Sequence, residues 1–318
     1  MSSNKLYRVS APGSLMVMGE HAVLYHHWAI VTAVNQRIFL TLKPRSDQKI
    51  IIRSSLGHLE SDIASLKPIK PFEHILYSIL MVQKKIQNGF ELEVESQFSH
   101  KIGLGSSAAI TVATVALLHY WLLNNMPAPA TVYFKALEVI KKIQNKGSGG
   151  DLLASIIGGT LFYQSNPFNF KSLPLLPSLT VIYSGSKTPT ATVIEKVYHH
   201  YQKEPFIYSE IFKKISHLTR LACDVIKNKN WAELGNLFKQ QQELMRKLQV
   251  SNETLDMLIH ALEKNEEIWG AKISGSGLGD CVIGLSKNPL DFPISEKWKY
   301  LGIQQITACP SSQGLYYE

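Results

Sequence analysis

The sequence predicts an α+β fold in two lobes, and three features of the chain support this prediction. Its 318 residues suit one large domain or two joined ones. Apolar residues make up 45% and charged residues 18% of the chain, which is a globular composition. Strand-like and helix-like segments follow one another without the regular strand–helix–strand order of a doubly wound sheet. We expect one lobe over residues 1–165 and the other over residues 166–318.

The first half of the chain carries alternating or β-branched runs, which are typical of strands. These runs predict strands over residues 6–10, 29–42, 49–53 and 90–95. Helical spacing predicts helices over residues 71–87 and 131–144. Residues 108–123 are almost uniformly apolar and predict a buried helix, which Pro127 and Pro129 end. That stretch is shorter than the ~20 residues that span a bilayer, so we expect no membrane partner.

The second half begins near Gly159 and mixes strands with helices. Three helical segments are predicted between Pro205 and Lys264. Short apolar runs predict strands over residues 161–163, 179–183, 271–274, 281–285 and 304–308.

The net charge of +8 comes from dispersed lysines and arginines, with no clustered basic stripe. This pattern disfavours a nucleic-acid partner and suits an anionic small molecule. The three cysteines, Cys223, Cys281 and Cys309, include no CxxC pair, which disfavours a disulfide framework or a zinc site. Because residues 1–5 contain no apolar signal core, the expected location is cytoplasmic.

A glycine-serine loop lies between a predicted strand and the long apolar helix. It begins with the residues Gly103, Leu104, Gly105, Ser106, Ser107 and Ala108. Glycines let a backbone approach an anion closely, and the free amides at a helix N-terminus bind phosphate. Ser106 and Ser107 add hydroxyls for phosphate or magnesium. The same residues would also serve as a tight turn with a serine cap.

Three other kinds of nucleotide-binding motif are disfavoured. The loop also fits the pattern GxGxxA of dinucleotide-binding folds, but that motif requires an acidic residue ~20 positions later. No Asp or Glu occurs between Ala109 and Leu137. The chain also lacks a Walker A motif and the HRD and DFG signatures of protein kinases.

Three further segments combine glycines with polar side chains. Glu20 and His21 follow an apolar run and, taken alone, suggest an exposed loop pair. Asp151 stands at a predicted helix start, where it could cap the helix or accept a proton from a substrate hydroxyl. The run Gly275-Ser276-Gly277 suggests either a backbone pressed against another group or a plain hairpin turn.

The four segments, in this order and at these spacings, resemble the GHMP kinases (galacto-, homoserine, mevalonate and phosphomevalonate kinases). The loop at residues 103–109 resembles the PxxxGLGSSA phosphate motif of that family, without its proline. Residues 274–281 resemble its C-terminal glycine-rich loop. The resemblance implies two lobes with the active site in the cleft between them. It also implies ATP and Mg²⁺ as cofactors and a small-molecule substrate.

Within this family, residues 19–24 resemble the members that phosphorylate the 5-hydroxyl of (R)-mevalonate in isoprenoid biosynthesis. That match implies that Glu20 and His21 bind the substrate. Residues 148–159 and 187–192 also resemble these members, which implies that Asp151 is the catalytic base and that Thr192 binds the substrate. Residues 184–187 and 274–281 instead resemble the members that act on phosphomevalonate, which remains the alternative.

The chain departs from the family pattern at two places. Ser14 stands where the family has a lysine, so Lys146 and Lys187 are candidates for the missing cation. A kinase of weak or altered activity is therefore a further alternative. For magnesium, the resemblance implies Ser107 and Glu138, the latter a few residues from the usual glutamate. The sequence leaves the oligomeric state open, with a homodimer as one option.

Overall fold

The computed structural model describes residues 5–99, 102–144 and 147–318. These residues form two β-sheets with helices packed on them, so the predicted α+β class is confirmed.

The larger sheet has the strand order β12-β1-β2-β5-β3-β4, and β6 pairs with both β2 and β7. The strands of this sheet are β1 (Tyr7–Met18), β2 (Ala29–Pro44), β3 (Lys49–Ser54), β4 (Gly57–Asp62), β5 (Phe90–Ser96), β6 (Thr160–Ser165), β7 (Phe168–Leu173) and β12 (Tyr316–Tyr317). The pairing of β3 with β5 is parallel, and the other described pairings are antiparallel.

Four helices belong to this first lobe: α1 (Glu73–Leu80), α2 (Ser106–Leu123), α3 (Pro129–Gln144) and α4 (Gly150–Ile157). By length and composition α2 could cross a membrane, but 56% of its residues are buried inside the protein. It packs against β1, β2 and the other three helices, so it is the core helix of the lobe. Its lack of a polar face follows from this burial on all sides.

The second lobe contains a smaller sheet in the order β11-β8-β10-β9. Its strands are β8 (Ser178–Ser184), β9 (Ile268–Ser274), β10 (Cys281–Ser286) and β11 (Ile303–Ile306). Its helices are α5 (Thr190–Lys203), α6 (Pro205–Lys227), α7 (Trp231–Lys247), α8 (Glu253–Glu263) and α9 (Glu296–Tyr300). Asn230 and Asn252 cap α7 and α8 by accepting hydrogen bonds from backbone amides of the first turn.

Most predicted elements are confirmed, but the ends of two of them differ from the prediction. The strand predicted over residues 6–10 continues as β1 to Met18. Register shifts at Pro12/Ser14 and Met16/Met18 interrupt its pairing, so no simple alternation marks it in the sequence. The helix predicted over residues 71–87 ends at Leu80 as α1, and a separate 3-10 turn follows at Gln83–Lys85.

The larger sheet extends past residue 165. β7 forms a hairpin with β6, and β12 returns from the end of the chain to pair with β1. The division of the chain at residues 165 and 166 therefore stays a prediction, and the first lobe takes strands from both sides of it.

Candidate functional site

Segments from both lobes line a central cavity of about 210 Å³. Its walls come from β1 and the turn after it, the loop before α2, the start of α4 and the turn after β9. Among the residues singled out from the sequence, those that line it are Ser14, Glu20, His21, Gly103, Gly105, Ser106, Ser107, Ala108, Asp151, Lys187, Gly275 and Ser276. The four glycine-containing segments thus meet at one place.

The glycine-serine loop is pressed against β1, which explains its glycines. Gly105 has φ +65°, and a Cβ at this position would collide with the Ser14 hydroxyl. Leu104 is fully buried, and its carbonyl accepts a 3.0 Å hydrogen bond from the Ser14 amide. The loop is therefore anchored by Leu104, and the first turn of α2 faces the cavity. Free amides at such a helix start attract anions.

Asp151 lies in the first turn of α4 and points its carboxylate at β1. Its Oδ1 accepts a 2.9 Å hydrogen bond from the Ser14 hydroxyl. Burial raises the pKa of Asp151, while the Ser14 hydrogen bond and the charge of Lys187 oppose that rise. Tyr163 fixes the segment just before α4, because its hydroxyl donates a hydrogen bond to the carbonyl of Ser148. Asp151 is thus a half-buried carboxylate of raised pKa facing the cavity.

Lys187 and Asp280 form an ion pair beside the same loop. The Lys187 Nζ lies 3.7 Å from Asp280 Oδ1, and the two side chains are 35% and 9% exposed. Oδ1 has no hydrogen-bond partner among the described residues. Burial raises the pKa of Asp280, and Lys187 opposes that rise. A Cβ on Gly103 would stand 2.9 Å from the Asp280 carboxyl carbon, so the loop needs glycine there.

The exposed loop pair predicted at Glu20 and His21 is wrong, because the two residues are 1% and 5% exposed. Both Glu20 oxygens accept hydrogen bonds from the second lobe, Oε1 from the ammonium of Lys272 and Oε2 from the amide of Gln241. His21 Nε2 lies 2.8 Å from the carbonyl of Ser276, to which it donates. Burial lowers the pKa of His21, so its ring is neutral near pH 7.

A second, larger side cavity of about 1000 Å³ adjoins the first. Ser106, Ser107 and Lys187 line both cavities, so the start of α2 lies at their junction. The side cavity also has apolar walls, which include Ile38, Val94, Phe98 and Ile110. It is the more apolar of the two spaces and reaches the helix start from the opposite side.

His74 lines the side cavity and is tied to the helix start. The hydroxyl of Thr111 donates to the Ser107 carbonyl at 2.7 Å, and His74 Nδ1 lies 2.9 Å from that hydroxyl oxygen. Burial lowers the pKa of His74 to about 4, so the ring is neutral.

Sequence reasoning did not single out His74, Asp280, Lys272 or Gln241. Asp280 lies inside the 274–281 segment, and that position was its only local signal. The other three lie outside the four segments and reach the site only through the fold.

Several predicted residues lie outside the central cavity. Thr192 is exposed in the first turn of α5, where Thr190 is the threonine that lines the cavity. Glu138 is 54% exposed and pairs with Lys142 at 3.1 Å on the outer face of α3. Gly277 packs against the backbone of Val250. Lys146 lies outside the described residues.

The donor set suits a metal ion that arrives with phosphates. No cluster of three His, Cys, Asp or Glu side chains able to hold a metal occurs in the described part of the chain. Asp280 and Ser107 nevertheless line the cavity and offer hard oxygen ligands. Mg²⁺ commonly takes only one or two protein carboxylates and completes its shell with phosphates and water. Asp280 Oδ1, which accepts no hydrogen bond from the described residues, fits that role.

Comparisons with known proteins agree with this geometry. The family model "GHMP kinases N terminal domain" matches residues 73–159, and "GHMP kinases C terminal" matches residues 223–296. The mevalonate kinase of Archaeoglobus fulgidus is 33% identical over 287 residues, which cover 87% of this chain and 92% of the relative. That of Thermococcus sibiricus is 28% identical over 330 residues and covers 97% of both chains.

The fold is also that of a solved structure. The mevalonate kinase of Methanococcus jannaschii superposes with a TM-score of 0.79 at 24% identity. The match covers 97% of this chain and 99% of that one.

Proposed function

Because the chain belongs to the GHMP kinase family, we propose that it transfers the terminal phosphoryl group of ATP to the 5-hydroxyl of (R)-mevalonate. The observation that carries this proposal is the half-buried carboxylate of Asp151 in the cavity that also contains the start of α2. The acceptor is proposed from the relatives, because the mevalonate kinases of Archaeoglobus fulgidus and Thermococcus sibiricus align over 87% or more of this chain.

Each of the two cavities takes one of the two substrates. The side cavity is apolar and large enough for a nucleoside, and the central cavity takes the acceptor. The phosphates then lie at the junction, on the amides of the first turn of α2, with the loop residues 103–108 around them. The hydroxyls of Ser106 and Ser107 face both spaces.

Asp151 acts as the base. Its carboxylate accepts the proton of the acceptor hydroxyl while that oxygen bonds to the terminal phosphorus and the bond to ADP breaks. The raised pKa of Asp151 brings its proton affinity closer to that needed near pH 7. Ser14 orients the carboxylate from β1.

Lys187 supplies a positive charge where the phosphoryl group passes. Its ammonium lines both cavities and is held by Asp280. In this role it takes the place of the lysine that the family has at position 14. Removal of one such donor typically lowers a rate by about 10²–10³.

Ser107 and Asp280 would hold Mg²⁺ together with the nucleotide phosphates. When bound, the ion offsets negative charge on those phosphates. Glu138 would need to turn from the outer face of α3 to take part.

The proposal is tested with purified protein, MgATP and a panel of mevalonate, phosphomevalonate, homoserine and galactose, followed by ADP release. We expect turnover with mevalonate. Asp151→Asn should abolish turnover while the affinity for nucleotide, measured by calorimetry, stays the same. Asp224→Asn is the matched control, because Asp224 is an exposed acid that pairs with Lys227.

Three outcomes would change the proposal. Turnover with phosphomevalonate alone would replace the acceptor. A substantial residual rate in Asp151→Asn would remove Asp151 as the base. Activity that appears only in a Ser14→Lys variant would show that the natural chain is not a working kinase.

A further inference from the structure

Lys272 is a fully buried lysine in β9, with an exposed fraction of 0%. Its ammonium donates to Glu20 Oε1 and to the Ile273 carbonyl, and lies 5.7 Å from the centre of the Phe238 ring. Burial lowers its pKa and the charge of Glu20 opposes that shift. The lysine and the glutamate form an ion pair between the lobes, and their side chains are 0% and 1% exposed.

Gln241 on α7 completes this network from the second lobe. Its side-chain amide donates to Glu20 Oε2, and its Oε1 accepts a 3.2 Å hydrogen bond from the Gly19 amide. Gln241 is itself fully buried. Both Glu20 oxygens and one backbone amide of the turn are therefore occupied by side chains of β9 and α7.

The segment held in this way has an unfavourable backbone conformation. Gly19 has φ +93° and His21 has φ +59°, a region that residues with a Cβ rarely adopt. Such a conformation persists when the surrounding contacts determine it, and these positions often occur at functional sites. Here the side-chain hydrogen bonds to Glu20 and to the Gly19 amide come from the second lobe.

Strands β1 and β9 and the turns that follow them are joined by two more hydrogen bonds, and both bonds lie beside the central cavity. The Ser274 hydroxyl donates to the carbonyl of Met16 at 2.9 Å, and His21 donates to the carbonyl of Ser276 at 2.8 Å. The turn after β1 (residues 19–21) and the turn after β9 (residues 275–277) are thus hydrogen-bonded neighbours in the wall of that cavity.

We propose that Lys272 and Gln241 are positioning residues for the acceptor: through the carboxylate of Glu20 they set the turn after β1 against the turn after β9. Glu20 then acts by holding His21 in place and does not itself bind the acceptor. This inference deepens the proposed function and rests on it. It replaces the expectation that Glu20 contacts substrate, because both oxygens of that carboxylate already have protein partners.

Two adjacent glutamines on α7 allow a matched experiment. Gln241 and Gln242 are 0% and 1% exposed, but Gln242 binds the Ile273 amide at 3.1 Å and Ser251 at 3.2 Å, neither of which belongs to the turn after β1. Gln241→Leu should raise KM for the acceptor about 10-fold to 100-fold, because small displacements of binding groups have effects of this size. KM for ATP should change less than about twofold. Gln242→Leu should lower the melting temperature without changing either KM.

The ion pair itself is tested with Lys272→Met and with the double variant Glu20→Gln/Lys272→Met. The single variant leaves a buried carboxylate without its cation and should lose both stability and acceptor affinity. The double variant should recover much of the melting temperature but keep the raised KM. Recovery of KM together with the melting temperature would reduce the pair to a structural role and overturn the proposal. So would an unchanged acceptor KM in Gln241→Leu.

A readout without turnover separates this inference from the proposed function. The Nε2 proton of His21, observed by nitrogen-15 NMR, should be protected from solvent exchange in the wild type and exposed in Lys272→Met. If no acceptor in the panel reacts but this proton behaves as expected, the proposed function fails and the positioning of the turn stands. If the acceptor reacts and the proton stays protected in Lys272→Met, the inference fails alone.

Discussion

At the scale of single residues, the carboxylate of Asp151 is held between opposing influences. Burial favours its protonated form, whereas the hydrogen bond from Ser14 and the charge of Lys187 favour the ionised form. The charge of Asp151 also helps to raise the pKa of Tyr163 on β6. Because the acid form cannot accept a proton, turnover should fall as the pH drops through the pKa of Asp151.

Ser14→Ala should move this acidic limb of the pH profile to higher pH. The hydroxyl stabilises the ionised carboxylate, so its removal raises the pKa of Asp151. A hydrogen bond to a charged group contributes ~1.5 kcal/mol, which corresponds to about one pH unit. The measurement is kcat against pH between pH 4 and pH 9, a range of about five units that starts near the ordinary pKa of an Asp carboxyl and extends past that of an imidazole.

Ser155→Ala is the control for this shift. Ser155 lies on the same helix and donates to the carbonyl of Pro12 at 2.8 Å, without contacting Asp151. The acidic limb of the pH profile of Ser155→Ala should coincide with that of the wild type. An unmoved limb in Ser14→Ala would contradict the role that we assign to Ser14.

At the scale of elements, the loop before α2 has its shape because it lies directly on β1. Gly105 combines a positive φ with contact to Ser14, and Gly103 contacts Asp280. The helix start can face a ligand only while this close packing is kept. The requirement for glycine therefore has two separable causes, backbone strain and lack of space.

Gly105→Ala and Gly159→Ala separate these two causes. Gly159 has φ +69° like Gly105, but a Cβ there would have no atom within 4 Å. Gly159→Ala should cost about 1–2 kcal/mol of stability through strain alone and leave the KM for ATP unchanged. Gly105→Ala should also displace the loop and raise that KM about 10-fold or more. Equal KM values for ATP in the two variants would show that space at Gly105 does not matter.

At the scale of the whole molecule, the end of the chain closes onto the first lobe. β12 pairs with β1, and the buried guanidinium of Arg37 binds the carbonyls of Gln313 and Gly314 at 3.3 and 2.8 Å. The same guanidinium donates to the carbonyl of Ser10 at 2.9 Å. One side chain thus joins the first two strands to the C-terminal segment.

Arg37→Met should lower the free energy of unfolding by about 2–4 kcal/mol, because several buried acceptors lose a charged donor. Urea unfolding measures this change as a lower midpoint. Arg53→Met, at an exposed position of β3, is the matched control and should stay within about 0.5 kcal/mol of the wild type. Identical midpoints for the two variants would show that Arg37 does not stabilise the packing of the C-terminal segment.

The sequence alone determined the fold class, most helices and strands, and the segments that form the cavity. These features depend on local patterns: apolar periodicity, glycines at turns, and polar residues at a helix start. The short strands β4, β7 and β12 were missed, because little in their own residues distinguishes them from loops.

Only the tertiary structure decided which side chains face the ligand space. Glu138 is on the outer face of α3, Thr190 lines the cavity where Thr192 was predicted, and Glu20 is buried against Lys272. Glu20 and Lys272 are 252 positions apart in the chain. A local pattern cannot contain such a partner, because the interaction exists only when the two lobes fold against each other.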